Sequence, residues 1–361
     1  MAANVTDTFE EFTSHLNNIV SGGYMTMAIG LGVDTGLFDV MCNMDRPKTS
    51  EEIADLAGLK ERYVREWLGA MVMGRIVDFN GDQETYHIPE HRIPALKPKS
   101  GQNVMTLYAK GVPMLSSVYK DLAECFKKDG PGGMAYSKYS DFHGFMAGLS
   151  SRWFDNYLIQ HFVPGIPTLK EKLDSGIQVL DVGCGEGGAS HLFAQNYPNS
   201  QIYGLDFQQH CITKATEIAA NKGLENIHFV CQEASGMDPI WDSKFDYVFM
   251  HEILHDSAYP DKLLDETYRV MKSDGILSVI DTGAHSKLED NLNLSPTIGI
   301  SYVCSMMNCV PVSLNFEGGM GLGAVWGKER AVEMLSDHGF DCEVSKTPGT
   351  KFGHFLCKKA K

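Results

Sequence analysis

The sequence holds no run of about eighteen apolar residues, the length a membrane-crossing helix needs. Its opening stretch, Met1 to Glu10, has neither the basic region nor the apolar region of a secretory signal. No internal repeat and no low-complexity tract breaks the chain. The nine cysteines are odd in number and contain no C-x-x-C pair. That excludes the spacing of a disulfide framework or a structural zinc site, and the expectation is reduced thiols in a cytoplasmic protein. Basic charge is scarce: 31 Lys and Arg face 46 Asp and Glu, for a net charge of −15. A protein that grips phosphate backbones needs the opposite balance. Cationic or neutral small ligands suit it better. What is present is an ordinary globular mix, 43% hydrophobic and 21% charged over 361 residues. That is enough chain for a sizeable core in one large domain or two ordinary ones.

Residues 1–100 read as helices followed by a small winged unit. Ser50 precedes Glu51 and Glu52 and an apolar period through Ile53, Leu56 and Leu59, a capped helix start. Gly58 ends that helix, and a second runs from about Glu61 to Met73. Then Ile76 to Phe79 and Thr85 to Ile88 flank Asn80-Gly81, a hairpin signal. Helix, turn, helix, hairpin is the winged-helix pattern. Lys60, Arg62 and Arg65 could face DNA phosphates, but they share their helix with Glu61 and Glu66. The first hundred residues carry nine basic side chains against fifteen acidic ones. A solvated helix face is the better reading, with no nucleic acid bound. The apolar run through Ile29, Leu31, Val33 and Leu37 suggests a subunit interface and a homodimer.

Residues 101–170 are aromatic, glycine-broken helical stretches, read as connecting helices and a substrate-pocket wall. From Ile177 onward, short apolar runs alternate with helical ones. The runs are Ile177–Val182, Gln201–Leu205, Ile227–Val230, Phe245–Met250, Ile276–Ile280, Phe340–Val344 and His354–Cys357. Strand–helix alternation implies a doubly wound, mostly parallel sheet. The third domain is therefore 171–361, with an insertion at 285–327.

The first of these runs ends in Val179-Leu-Asp-Val-Gly-Cys-Gly-Glu-Gly-Gly188, where glycines let backbone approach a ligand. Asp206 closes the second run, where a carboxylate can take both hydroxyls of a ribose. Gly183, Gly185 and Gly188 also satisfy the dinucleotide pattern G-x-G-x-x-G, so an NAD(P)-dependent oxidoreductase is the first alternative. Asp181 argues against it. A carboxylate two residues before the first glycine repels a pyrophosphate and suits a ligand with an ammonium and a sulfonium.

Leu180-Asp-Val-Gly-Cys-Gly-Glu-Gly-Gly188 resembles motif I of class I S-adenosylmethionine (SAM) dependent methyltransferases. Phe245-Asp-Tyr-Val-Phe-Met-His-Glu-Ile-Leu-His-Asp256 resembles their fourth-strand motif, and Arg269 to Gly275 their turn into the fifth strand. With the winged unit, the chain resembles small-molecule methyltransferases of the plant O-methyltransferase type and a related bacterial and animal group. The stretch Val310 to Gly327 is closer to that second group. The resemblance implies SAM as cofactor. It puts Gly183, Cys184 and Gly185 in the backbone cradle, Asp206 on the ribose and Phe207 beside the adenine. Glu233 and Ala234 fall at the adenine edge, where the family often has Asp. Asp181, Met250 and His251 join this cofactor set.

His255-Asp256 follows the fourth strand, where loops line the crevice of open α/β sheets. In the plant-type enzymes a His-Asp pair there supplies the general base, so the resemblance implies His255 as base, with Asp256 or a nearby carboxylate orienting it. The family usually has Trp next; this chain has Ser257. The alternative is that His255 only orients the loop. His251 to His255 also spells H-E-x-x-H, but a zinc site would need both histidines on one helix, and no metal is expected. Phe142, Trp153, Met306, Cys309 and Trp326 are candidate walls for a small-molecule acceptor, with core packing as the alternative. The resulting expectation is methyl transfer to oxygen or sulfur of a small molecule. A non-catalytic SAM-sensing or winged-helix regulator is the second alternative.

Overall fold

The computed structural model describes residues 7–97, 104–140 and 142–360. The chain divides into two compact units, one reaching Ser117 and one starting at Val118.

In the first unit a long helix, Phe9–Asp34, starts on a capping box made by Thr8 and Glu11. The expected pair of helices appears as Ser50–Ala57 and Glu61–Met73. Thr49, not Ser50, caps the first of them, exchanging hydrogen bonds with Glu52. The hairpin consists of β1 (Asp78–Asn80) and β2 (Thr85–His87). Asn80 pairs with Thr85, so the turn is not a two-residue Asn-Gly turn. The Asn80 Oδ1 instead accepts from the N–H groups of Asp82 and Gln83 and shapes a wider loop. Phe38, Ile53, Leu68 and Met71 form the core.

Leu37 belongs to that core and is 3% exposed, so it is not free for an interface. Phe9, Phe12, Leu16, Ile19, Val20, Tyr24, Met27 and Leu31 are the exposed large apolar residues of the long helix. The helix Met105–Ser117 joins this unit rather than a connector starting at 101. Gly30 permits it: a Cβ there would lie 3.1 Å from the Ala109 carbonyl oxygen.

The second unit is a seven-stranded sheet. Its strands are β3 (Gln178–Val182), β4 (Gln201–Asp206), β5 (Ile227–Cys231), β6 (Phe245–His251), β7 (Met271–Asp281), β8 (Phe340–Lys346) and β9 (Gly353–Lys359). Their order is β5-β4-β3-β6-β7-β9-β8. The first five are parallel, and β9 runs antiparallel to both β7 and β8. β7 begins earlier than expected, at Met271, with an irregularity before Ile276.

Alternation along each strand feeds two cores. Leu180, Val182, Val248 and Met250 face one, with Leu263 and Leu335 from helices. Val179, Tyr247 and Phe249 face the other, with Leu158 and Phe193. Helices thus cover both faces, as parallel strands require.

One cysteine expectation is corrected. Cys342 and Cys357 stand opposite one another on β8 and β9 and form a disulfide. The antiparallel register brings together two residues that linear spacing left unrelated. The other seven cysteines are free thiols. No helix among the described residues is long and apolar enough to cross a membrane.

Candidate active site

Because β3 lies between β4 and β6, strand order reverses there, and a crevice opens beyond the strand ends. β3 ends at Val182, and the chain turns through Gly183, Gly185 and Gly187, all at positive φ, into the helix Gly188–Asn196. A side chain at Gly183 would be strained by its φ of 69°, and its Cβ would meet Ile253 at 2.2 Å. The N–H groups of Gly183 and Cys184 donate to the Leu205 carbonyl, tying the turn to β4. The N–H of Gly185 donates to Asp206 Oδ2 and that of Gln208 to Oδ1, both at 2.9 Å. Burial still raises the pKa of Asp206. Asp181 accepts from Ser190 Oγ at 2.5 Å, and burial pushes its carboxyl up to about 7.

A cavity of about 440 Å³ occupies the crevice, within the usual range for small-molecule sites. Asp181, Gly183, Cys184, Gly185, Asp206 and Phe207 line it. So do Glu233, Ala234, His251, Asp256 and Phe142. Met250 does not. It is fully buried in the core because it precedes the last residue of β6 and faces the opposite side from His251.

His255 is 5% exposed and is not among the cavity-lining residues. Its Nδ1 lies 3.0 Å from both oxygens of Asp281, the last residue of β7. Its backbone N–H donates to Asp281 Oδ2. Nε2 points the other way, 3.2 Å from Asp256 Oδ1, without hydrogen-bond geometry. Burial opposes charge on this ring, but Asp281 and Asp256 outweigh it and hold the imidazole pKa well above its usual value. Burial likewise disfavours charge on Asp281, and His255 more than compensates. Cys309 sits against His255 and Asp256, and burial pushes its thiol up to about 12.

The remaining acceptor candidates are elsewhere. Trp326 is core, and its Nε1 donates to Asp281 Oδ1 at 3.0 Å, so it positions the base cluster instead of forming a wall. Trp153 is buried, donates to the Pro348 carbonyl and stacks on His251. Met306 is 43% exposed and does not line the cavity. From the insertion the cavity instead takes Val312 and Phe316. The H-E-x-x-H spelling does not fall on one helix: His251 closes β6, and Glu252 turns the chain with a φ of 56°.

Sequence reasoning missed Tyr136, Phe154, Glu252 and Asp281. Tyr136 is partly buried beside Asp256, its hydroxyl 3.5 Å from Oδ2. Asp281 had a signal: it ends a strand, as Asp206 does. Tyr136 and Phe154 had none, since only folding brings residues so far from the strand ends into the crevice.

Residues 173–339 match the family model described as a methyltransferase domain. Residues 23–97 match the model of an Rv2258c-like winged HTH domain. The arsenite methyltransferase of Halobacterium salinarum is 25% identical over 185 residues, 50% of this chain and 47% of that protein. The chain thus spans about half the length of this curated relative. Human N-acetylserotonin methyltransferase, solved in complex with SAM, shares the fold at 16% identity. It is covered to 99%, as is this chain, with a TM-score of 0.68. Mitomycin 7-O-methyltransferase, also 16% identical, gives a TM-score of 0.68 over 96% of this chain and 98% of its own. This chain carries a methyltransferase domain over residues 173–339, preceded by a winged helix-turn-helix domain over residues 23–97.

Proposed function

We propose that the protein is a SAM-dependent methyltransferase acting on an oxygen or sulfur of a small molecule. The observation that carries this reading is one cavity shared by two groups of residues. The glycine turn and Asp206 border it on one side, and Asp256, backed by His255 and Asp281, borders it on the other. The residues fit the cofactor. Gly183 and Gly185 keep the crevice clear of side chains, and no atom lies within 4 Å of a Cβ built on Gly185. Asp206, already fixed by two backbone N–H groups, would take the ribose hydroxyls; Phe207, 41% exposed, would take the adenine face. Asp181 would favour the cationic amino-acid end. Bound there, SAM supplies a methyl group already activated by its sulfonium.

The chain's own task is then alignment of the acceptor and removal of its proton. Alignment contributes several kcal/mol by the usual arithmetic of intramolecular reactions. The proton goes to the cluster at the end of β6. Asp281 holds the His255 ring through Nδ1, so that Nε2 faces Asp256, whose carboxylate borders the acceptor space. In its free-base form His255 accepts the proton at Nε2 through Asp256, and the two carboxylates stabilise the imidazolium that results.

Three further parts of the reading concern the whole chain. The exposed stripe on the helix Phe9–Asp34 supports a homodimer. Arg62 and Arg65 pair with Glu66 and Glu61 on their own helix, which supports a winged unit that does not bind DNA. Seven free thiols support a cytoplasmic location.

Calorimetry and melting curves with SAM and with NAD(P) test the cofactor. SAM alone should bind and raise the melting temperature; a shift by NAD(P) alone would move the protein to the oxidoreductases. Labelled SAM offered with alcohols, phenols, thiols and amines should label an oxygen or sulfur acceptor.

A further inference from the structure

Glu252 is a partly buried carboxylate without a hydrogen-bond donor among the described residues. It follows β6 directly, and its φ of 56° places a non-glycine residue in left-handed backbone. Such a residue is strained and persists where its surroundings over-determine it. Here the pin is its backbone N–H, which donates to the Ile280 carbonyl at 2.7 Å. The result is a side chain that lines the cavity while only 21% exposed. No described residue donates a hydrogen bond to its carboxylate. The nearest ring nitrogen, His251 Nδ1, is 3.9 Å away, and burial, pushing that ring's pKa down to about 4, keeps it neutral.

Three other acids at the strand ends contrast with it. Asp206 has two backbone donors, Asp181 has Ser190, and Asp281 has His255 and Trp326. Glu252 stands three residues before His255 and four before Asp256, and it interacts electrostatically with both, with Asp281 and with Lys351. It therefore belongs to the acceptor end. The Lys351 ammonium is bonded to Ser301 and does not line the cavity. Among the described residues the single Lys or Arg that does line it, Lys222, reaches Gln195. Tyr136, Phe142, Phe154 and Phe316 complete the wall. Aromatic faces and carboxylates together attract a cation and repel an anion.

We propose that the acceptor end of the cavity is a subsite for an ammonium group carried by the methyl acceptor, seated by Glu252 and Asp256 among these rings. This rests on the methyltransferase reading and narrows its substrate class to aminated hydroxy compounds or thiols. Burial pushes the Glu252 carboxyl up to about 7, so the arriving cation draws it into its ionised form near neutrality. The net charge of −15 steers cations to the molecule.

The test is calorimetry on the full chain, with and without S-adenosylhomocysteine. Tyramine, phenethylammonium and cysteamine are each titrated against a neutral isostere and a carboxylate of similar size. At least one ammonium should bind about tenfold or more tightly than its isostere, the value of one charge-assisted contact. Glu252→Gln, which keeps the shape, should remove most of that preference and leave S-adenosylhomocysteine affinity unchanged. Asp256→Asn should weaken it in the same sense and serves as a second variant if Glu252→Gln does not fold. Isosteres or carboxylates binding wild type as well as the ammonium ions would overturn the subsite. So would no measurable ammonium binding, or a preference that survives in the folded variants. Failure to bind S-adenosylhomocysteine would overturn the methyltransferase reading instead, and the titrations without it would still measure the ammonium preference.

Discussion

Asp206 shows how one side chain joins loop and ligand. Its two oxygens hold the N–H groups of Gly185 and Gln208, so removing it loosens the glycine turn as well as deleting the ribose contact. Asp206→Ala should weaken SAM binding by about 1.5 kcal/mol or more, the lower range for a hydrogen bond to a charged group. Calorimetry measures it, and unchanged affinity would remove Asp206 from the site. His255 makes a pH prediction with a definite sign. Its pKa is raised in the folded protein by Asp281 and Asp256 against burial. The imidazolium is therefore the resting form at neutral pH, and the free base appears only as pH rises past the ordinary histidine range. Turnover on a hydroxyl acceptor should climb with pH through an inflection well above 6.5. His255→Ala should lose that inflection and about a hundredfold or more in rate while keeping SAM affinity. A thiol acceptor, partly ionised by itself, should regain much of the lost rate at high pH. A wild-type profile that is flat above the ordinary histidine range, or one unchanged by the substitution, would take His255 out of the proton path.

At the scale of elements, the turn after β3 is tightly constrained. Gly183→Ala adds a methyl in left-handed backbone, 2.2 Å from Ile253. Ile253 belongs to the stretch between β6 and the His255–Asp256 pair, so the clash strains both sides of the cavity. The substitution should lower the melting temperature and weaken SAM binding together; a variant that melts and binds like wild type would show that the turn can relax. Thr49→Ala should cost about 1 kcal/mol of helix capping in the first unit and leave SAM binding alone, which denaturation and calorimetry can separate. Element types were legible because hydrophobic period differs between strand and helix. Their ends were less so. Thr49 and Ser50 are both good caps, and the choice is made by the bond from Thr49 to the Glu52 N–H. The Asn80-Gly81 pair reads as a two-residue turn, but the bonds accepted by the Asn80 side chain select a wider loop.

For the whole molecule, the stripe of Phe12, Leu16, Ile19, Val20, Tyr24, Met27 and Leu31 recurs in steps of one, three or four residues on one helix and stays exposed. Packed against a second copy it would leave water, and contiguous exposed apolar area of this kind marks interaction surfaces. Light scattering should report a dimer, and Leu16→Lys with Ile19→Lys should yield monomer of unchanged secondary structure. A wild-type monomer at all concentrations would sink the dimer. Nanomolar binding of duplex DNA at physiological salt would overturn the reading of the winged unit.

The sequence by itself determined the winged unit, the parallel α/β class and the glycines and acids that border the cavity at the ends of β3 and β4. These depend on local period and on glycines and acids within a few residues of strand ends, where chain connectivity alone sets the geometry. Tertiary structure decided the acceptor side. Cys342 meets Cys357 only through antiparallel register. Trp326 reaches Asp281 across 45 residues, and Tyr136 reaches Asp256 across 120. His255 withdraws behind Asp256 because Asp281 draws its Nδ1 and its backbone into the buried end of β7. Such partners are chosen by packing between elements, and no spacing along the chain encodes that choice.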